Sequence, residues 1–149
     1  MGTIVFLSVS DVIEIHERVV LEFGGHAELR DRGLLESAVA MPRAMFSGQH
    51  LHPELSDMAA AYHYHLCANH PFVDGNKRVA VTAAEVFLLA NGLELHCTDH
   101  ELEEITLGIA SSLVAKEQVA EFYAAAELCC NLPALLVASP GIRRLGHDC

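Results

Sequence analysis

The chain has 149 residues, 52% of them hydrophobic, and its 20 acidic against 9 basic side chains give a formal charge of −11. That much apolar material suffices for one self-sufficient core, and the acidic balance repels phosphate backbones, which excludes direct nucleic-acid binding and attachment to anionic membranes as general functions. No apolar run reaches the ~18 residues of a membrane span, residues 1 to 7 hold no basic leader, and five cysteines with Cys129 and Cys130 adjacent make a poor disulfide framework, so the expectation is a cytoplasmic protein.

In chain order, TIVFL at 3 to 7 reads as a short strand, able to pair with LELH at 93 to 96. Ser8 opens the first helix, with Asp11 as its capping-box partner, Val12, Ile15, Val19 and Phe23 as its apolar stripe and Gly24-Gly25 as its stop. A second helix at about Gly33 to Met41 is ended by Pro42. Pro53 suits the first position of a third, which runs to about Ala68, because its fixed φ fits there and its missing N–H costs nothing. A fourth runs from about Gly75 to Asn91 with Gly92 as cap, a fifth starts at Thr98 with Glu101 completing a capping box, and a sixth spans about Ala115 to Cys130. Two short strands make at most a flap, so the fold class is all-α, with about six helices. There is no internal repeat; residues 1-130 form one domain, and 131-149, with two prolines, two glycines and no period, read as a C-terminal extension.

The polar chemistry is concentrated in NHPFVDGNKR, residues 69 to 78. Pro71 disfavours the helical state for the residue before it, so the third helix is expected to end at His70, with that residue extended. An imidazole changes charge near neutral pH and can take a proton from a hydroxyl, which makes His70 the candidate general base. Phe72 reads as the anchor of the loop. DGN marks a turn into a helix whose first amides, around Gly75, Asn76 and Lys77, lack an intrahelical acceptor and form an anion cradle, with Gly75 leaving room for a phosphate. Lys77 and Arg78 are anomalous there, because a cation at a helix N-terminus is unfavourable by about 0.3 to 1 kcal/mol. A polyphosphate would offset them, with Arg78 binding bidentately, Lys77 acting as a point charge and Asp74 available to a Mg²⁺ shared with the phosphates.

Singly, these residues have plainer readings: a histidine before proline is more often structural than catalytic, and Asp74 serves equally well as a helix cap. Only the combination points to a site. His63, His65, Cys67 and His70 invite a zinc reading, but 63 and 65 face different sides of a helix and only 63 and 67 align, so both histidines read as ordinary helix residues. DHELEE at 99 to 104 reads as a solvated helix start.

The stretch HPFVDGNKR resembles the signature of Fic/Doc proteins, specifically the Doc (death-on-curing) toxin branch. IHERVVLEFGG, LRDRGLLESAVA and NGLEL are also similar to Doc-family stretches, in the same order, so the resemblance spans residues 4 to 125 and leaves the tail unmatched. It implies a compact helical Fic fold, with His70 as the base, Phe72 as loop anchor, Asp74 as Mg²⁺ ligand, and Gly75, Asn76, Lys77 and Arg78 as the phosphate-binding set. Fic enzymes that transfer AMP have glycine where this chain has Lys77 and a second arginine where it has Val81; both departures point away from AMP transfer. The Doc likeness implies instead transfer of the γ-phosphate of ATP to a threonine of elongation factor Tu, arrest of translation, and a Phd-type antitoxin whose C-terminal segment covers the groove. The alternatives are a Fic-type AMP transferase, opposed by Lys77 and Val81, and a catalytically idle module that titrates an antitoxin, opposed by the intact set of His70, Asp74, Asn76, Lys77 and Arg78.

Overall fold

A computed structural model describes residues 3–130, with backbone alone described at 127–130; the extension expected at 131-149 lies outside the described residues. Six helices follow one another: α1 (Val9–Phe23), α2 (Arg32–Ala40), α3 (Leu55–Asn69), α4 (Asn76–Ala90), α5 (Asp99–Ala110) and α6 (Lys116–Ala125). Between them lie a 3₁₀ turn at Met41–Arg43 and two antiparallel two-stranded ribbons, β1 (Met45–Phe46) with β2 (Gln49–His50) and β3 (Leu93–His96) with β4 (Glu127–Cys130). The all-α class is as expected.

The helix starts follow local chemistry. Ser8 Oγ accepts from Asp11 N (3.1 Å) while Asp11 Oδ2 accepts from Ser8 N (2.8 Å), and Thr98 and Glu101 exchange the same pair of bonds at 3.0 and 2.8 Å; each satisfies two amides the helix cannot. α3 is the centre of the molecule. It buries Met58, Ala59, Ala60, Ala61, Tyr62, Leu66 and Cys67, a nearly all-round apolar surface of the kind found only inside. α4 packs on it through Val79, Ala80, Ala83, Ala84 and Phe87, and both helices contribute buried alanines to the shared core. No described helix is long and apolar enough to cross a membrane.

Several boundaries differ from expectation, each for a long-range reason. Residues 3–7 form no strand: the Asn91 amide accepts from Val5 N and donates to Val5 O, both at 2.9 Å, and Tyr62 Oη accepts from Leu7 N at 2.8 Å, so side chains replace a ladder. The partner of β3 is β4, and α6 accordingly stops at Ala125, where Ala126 turns extended (φ −68°, ψ 144°) and the last four described residues pair with the open edge of β3. Pro53 precedes the cap residue Glu54 instead of opening α3, and Pro42 sits inside the 3₁₀ turn that prolongs α2. The buried stripe of α1 is Val12, His16 and Val19; Ile15 is half-buried and Phe23 is 54% exposed. The β1–β2 hairpin, turning on Ser47 (φ 53°) and Gly48 (φ 78°), had no alternating flanks to announce it.

Candidate active site

The signature joins the C-terminal end of α3 to the N-terminal end of α4. His70 is the residue after α3 and takes the left-handed conformation (φ 53°, ψ 54°), not the extended one. Proline excludes only the right-handed helical state before it, and a helix that must end there is closed by a left-handed residue, which histidine tolerates better than most. Such a conformation costs about 1 kcal/mol or more and persists only where its surroundings hold it. Here Arg30 does so. Its Nε donates to His70 O at 2.7 Å and its Nη2 to Asn69 O at 3.1 Å, placing a cation where the helix dipole favours one.

Beyond His70 the chain runs antiparallel to residues 28–31. Arg30 N and Asp31 N donate to Pro71 O at 2.7 and 3.0 Å, and Val73 N donates to Glu28 O at 2.9 Å. Phe72 is buried as the expected anchor, its ring face to face with that of His16, centroids 3.7 Å apart and planes 8° from parallel. The Asn76 amide then closes the loop on itself: its Oδ1 accepts from Phe72 N and its Nδ2 donates to Phe72 O, both at 2.9 Å. With both ends of the side chain engaged, what Asn76 offers an anion is its backbone N–H.

At the start of α4, Gly75 adopts φ +80°, ψ 13°, a state that suits glycine, and a Cβ there would come within 3.4 Å of His16 Nε2. Gly75 N donates to Asp74 Oδ1 at 2.9 Å. The first amide of α4 with an intrahelical acceptor is that of Val79, to Gly75 O at 2.9 Å. The amides without an intrahelical acceptor are therefore those of Asn76, Lys77 and Arg78, one residue later than the set expected to cradle an anion. Arg78 stacks its guanidinium over the Phe23 ring, 3.9 Å from the centroid. Lys77 is exposed and borders two cavities: one of about 550 Å³ that it shares with His70, Asn76, Tyr64 and Leu113, and one of about 690 Å³ between α4 and α5 that it shares with Arg78, Phe23, Val81, Glu85 and Asp99.

Asp74 presents an exposed carboxylate, and Gly25 leaves it room, since a Cβ at 25 would stand 2.5 Å from Asp74 Oδ2. One carboxylate beside the free amides of a helix start has the chemistry for Mg²⁺, which is commonly held by one or two carboxylates together with phosphate oxygens and water. Among the described residues no group of three His, Cys, Asp or Glu could hold a metal by itself. Cys67, on the wall of the first cavity, has its thiol pushed up to about 11 by burial, so it stays a neutral thiol at neutral pH. His63 is fully buried between Tyr123 Oη and Thr106 Oγ1, each at 2.8 Å; Thr106 gives its own proton to Leu102 O, so it accepts from His63 Nε2–H, and His63 Nδ1 accepts from Tyr123.

The structure thus places His70, Asn76 and Lys77 on one cavity and Lys77 and Arg78 on the other, with Asp74 and Gly75 in the turn leading into α4, and ties to them four residues that were not anticipated as neighbours of the site: His16, Phe23, Gly25 and Arg30. His16 left a readable trace, a polar residue four after Val12 and three before Val19 on the apolar face. Arg30 left none.

The family model described as Fic/DOC family matches residues 6–88. Over 75 residues the chain is 49% identical to a protein named Toxin Doc from Mycolicibacterium smegmatis (strain ATCC 700084 / mc(2)155), a match covering 50% of this chain and 58% of that one. Over 115 residues it is 27% identical to Protein kinase doc of Escherichia phage P1, covering 77% of this chain and 90% of that protein. The chain thus spans little more than half the length of the first of these relatives.

Proposed function

The chain belongs to the Fic/DOC family, on its Doc branch, and from that premise we propose that it is the toxin of a toxin–antitoxin pair, a protein kinase that moves the γ-phosphate of ATP to a threonine of elongation factor Tu. The observation that carries this reading is that His70, Asn76 and Lys77 border one cavity at the start of α4, where the amides of Asn76, Lys77 and Arg78 have no intrahelical acceptor, and that Lys77 also borders the second cavity, which Arg78 lines. A base and a phosphate cradle side by side are what a hydroxyl phosphotransferase needs.

In this scheme the His70 imidazole takes the proton of the acceptor hydroxyl, whose oxygen bonds to the γ-phosphorus as the bond to the β,γ-bridging oxygen breaks. ADP leaves, and His70 later gives its proton to solvent. The amides of Asn76, Lys77 and Arg78 and the two cations hold the phosphate oxygens from the start, so little reorganisation is needed as charge develops. Asp74 is the residue that would hold Mg²⁺, which when bound neutralises phosphate charge. Lys77 fills the place of the glycine found in AMP-transferring relatives, and Val81 on the second cavity wall offers no guanidinium to the outer phosphates. Both favour a nucleotide lying with its γ-phosphate at His70. Such an enzyme would work in the cytoplasm, arrest translation, and be restrained by a Phd-type antitoxin covering the groove.

The test is label transfer in bacterial extract from ATP labelled at the α or the γ position, with His70→Ala as control. The expected result is a band at the size of elongation factor Tu from γ-label only, lost in the variant while its thermal midpoint is kept. Label from the α position would make the protein an AMP transferase. Label from neither, with growth arrest on expression, would reduce it to a binding module.

A further inference from the structure

Three side chains of α1 approach the signature from beneath, and none of them reaches the reacting groups: His16, Val19 and Phe23. His16 is the one that grips backbone. Its Nε2 lies 2.6 Å from Asp74 O, and because a carbonyl can only accept, the ring proton is on Nε2. The other nitrogen, Nδ1, is buried with no hydrogen-bond partner among the described residues, in a side chain with no exposed surface.

A buried, unpartnered polar atom opposes folding. If the position served only to fill space and face the ring of Phe72, an apolar ring would do it without that penalty. What an apolar ring lacks is the N–H directed at Asp74 O. That carbonyl belongs to the peptide joining Asp74 to Gly75, and the N–H of the same peptide is held by Asp74 Oδ1 at 2.9 Å. The peptide plane is thus pinned at both ends, immediately before the left-handed residue that starts α4. Rotating that plane would re-aim both the Asp74 carboxylate and the three first-turn amides.

We propose that His16 is a positioning residue, whose Nε2–H locks the Asp74–Gly75 peptide so that the amides of Asn76 to Arg78 and the Asp74 carboxylate are set to receive phosphate before it arrives. The inference rests on the phosphotransferase reading only for the identity of the anion. His16→Phe and His16→Gln separate positioning from packing, because phenylalanine keeps a stacked ring without a donor, whereas glutamine keeps a donor, Nε2, without a ring. The readouts are thermal midpoint, ATP affinity by calorimetry, γ-label transfer, and the amide resonances of Asn76, Lys77 and Arg78 titrated with inorganic pyrophosphate.

Expected is an inversion: His16→Phe is at least as stable as His16→Gln, yet loses tenfold or more in affinity and transfer and shows blunted amide shifts, while His16→Gln stays within about threefold of wild type. The proposal is overturned if His16→Phe binds like wild type, if function falls in step with thermal midpoint across both variants, or if the wild-type amides ignore pyrophosphate. Should the wild type bind ATP and transfer no label, the phosphotransferase reading fails, while the affinities and resonances still decide the role of His16.

Discussion

Asn76 is the residue whose replacement most directly separates loop architecture from phosphate contact. The residue is 4% exposed, and its side chain holds both backbone groups of Phe72, itself 1% exposed. Asn76→Ala strands one buried N–H and one buried C=O, each worth about 1–3 kcal/mol when left unpaired. The sum is about 2–6 kcal/mol, and the lower half applies, because Asn76 lines the first cavity and water can enter the space vacated beside it. At roughly 2–4 °C per kcal/mol for a domain near this size, a loss of about 3 kcal/mol lowers the thermal midpoint by about 6–12 °C. Thermal and urea denaturation of the nucleotide-free protein would measure it. A variant as stable as the wild type that has merely lost ATP affinity would refute the reasoning, since it would show the amide acting on phosphate and not on Phe72.

The cations of α4 behave differently. Each opposes the helix dipole by about 0.3–1 kcal/mol, but Arg78 regains about 0.5–1 kcal/mol from the Phe23 ring at this exposed site; Lys77→Ala should therefore stabilise the apo protein slightly and Arg78→Ala leave it unchanged, while both weaken ATP binding in calorimetry. Unaltered affinity in both would put the cradle elsewhere. Acid sensitivity should trace in part to His63, which burial holds down to about 4. The unfolded chain takes up that proton near pH 6.5 and the native state does not until about pH 4, so the stability present above pH 6.5 is lost on acidifying through that window, by roughly 3 kcal/mol. His65, also lowered to about 4 by burial, adds a smaller share because it is partly exposed. Denaturation midpoints against pH should flatten on the acid side in His63→Gln, although that variant is less stable at pH 8; an unchanged slope would remove His63 from the account.

What the sequence disclosed and what it withheld divide along the range of the interaction. Capping boxes at Ser8 and Thr98 and the glycine after α4 were legible because donor and acceptor lie within three or four residues of each other. The candidate site could be located for the same reason: His70, the DGN turn and the first turn of α4 are contiguous. Hidden from it were pairings across the chain. Nothing near LELH identifies Glu127–Cys130 as its partner, and nothing in TIVFL tells that Asn91, 86 residues from Val5, takes the bonds a neighbouring strand would. The left-handed His70 was missed because a rule about one residue, the proline after it, was applied without the helix end that the same residue must also close.

That division explains why the likeness to the family extends beyond the signature. From His70 to Asp74, six backbone groups have partners that can be traced. His70 O goes to Arg30; Pro71 O to the amides of Arg30 and Asp31; Phe72 N and O to Asn76; Val73 N to Glu28; and Asp74 O to His16. Only the Asn76 pair is satisfied from within the signature. The others draw on IHERVVLEFGG and on the segment that opens into LRDRGLLESAVA, so a chain bearing HPFVDGNKR without those stretches would have the candidate groups with only the Asn76 clasp among these bonds to fix them. With these groups paired, the unspent donor capacity of this turn is concentrated in the amides of Asn76, Lys77 and Arg78, at the positive end of α4. Three such amides at once suit an anion, and in the function proposed above the two cations beside them are what would favour a polyphosphate.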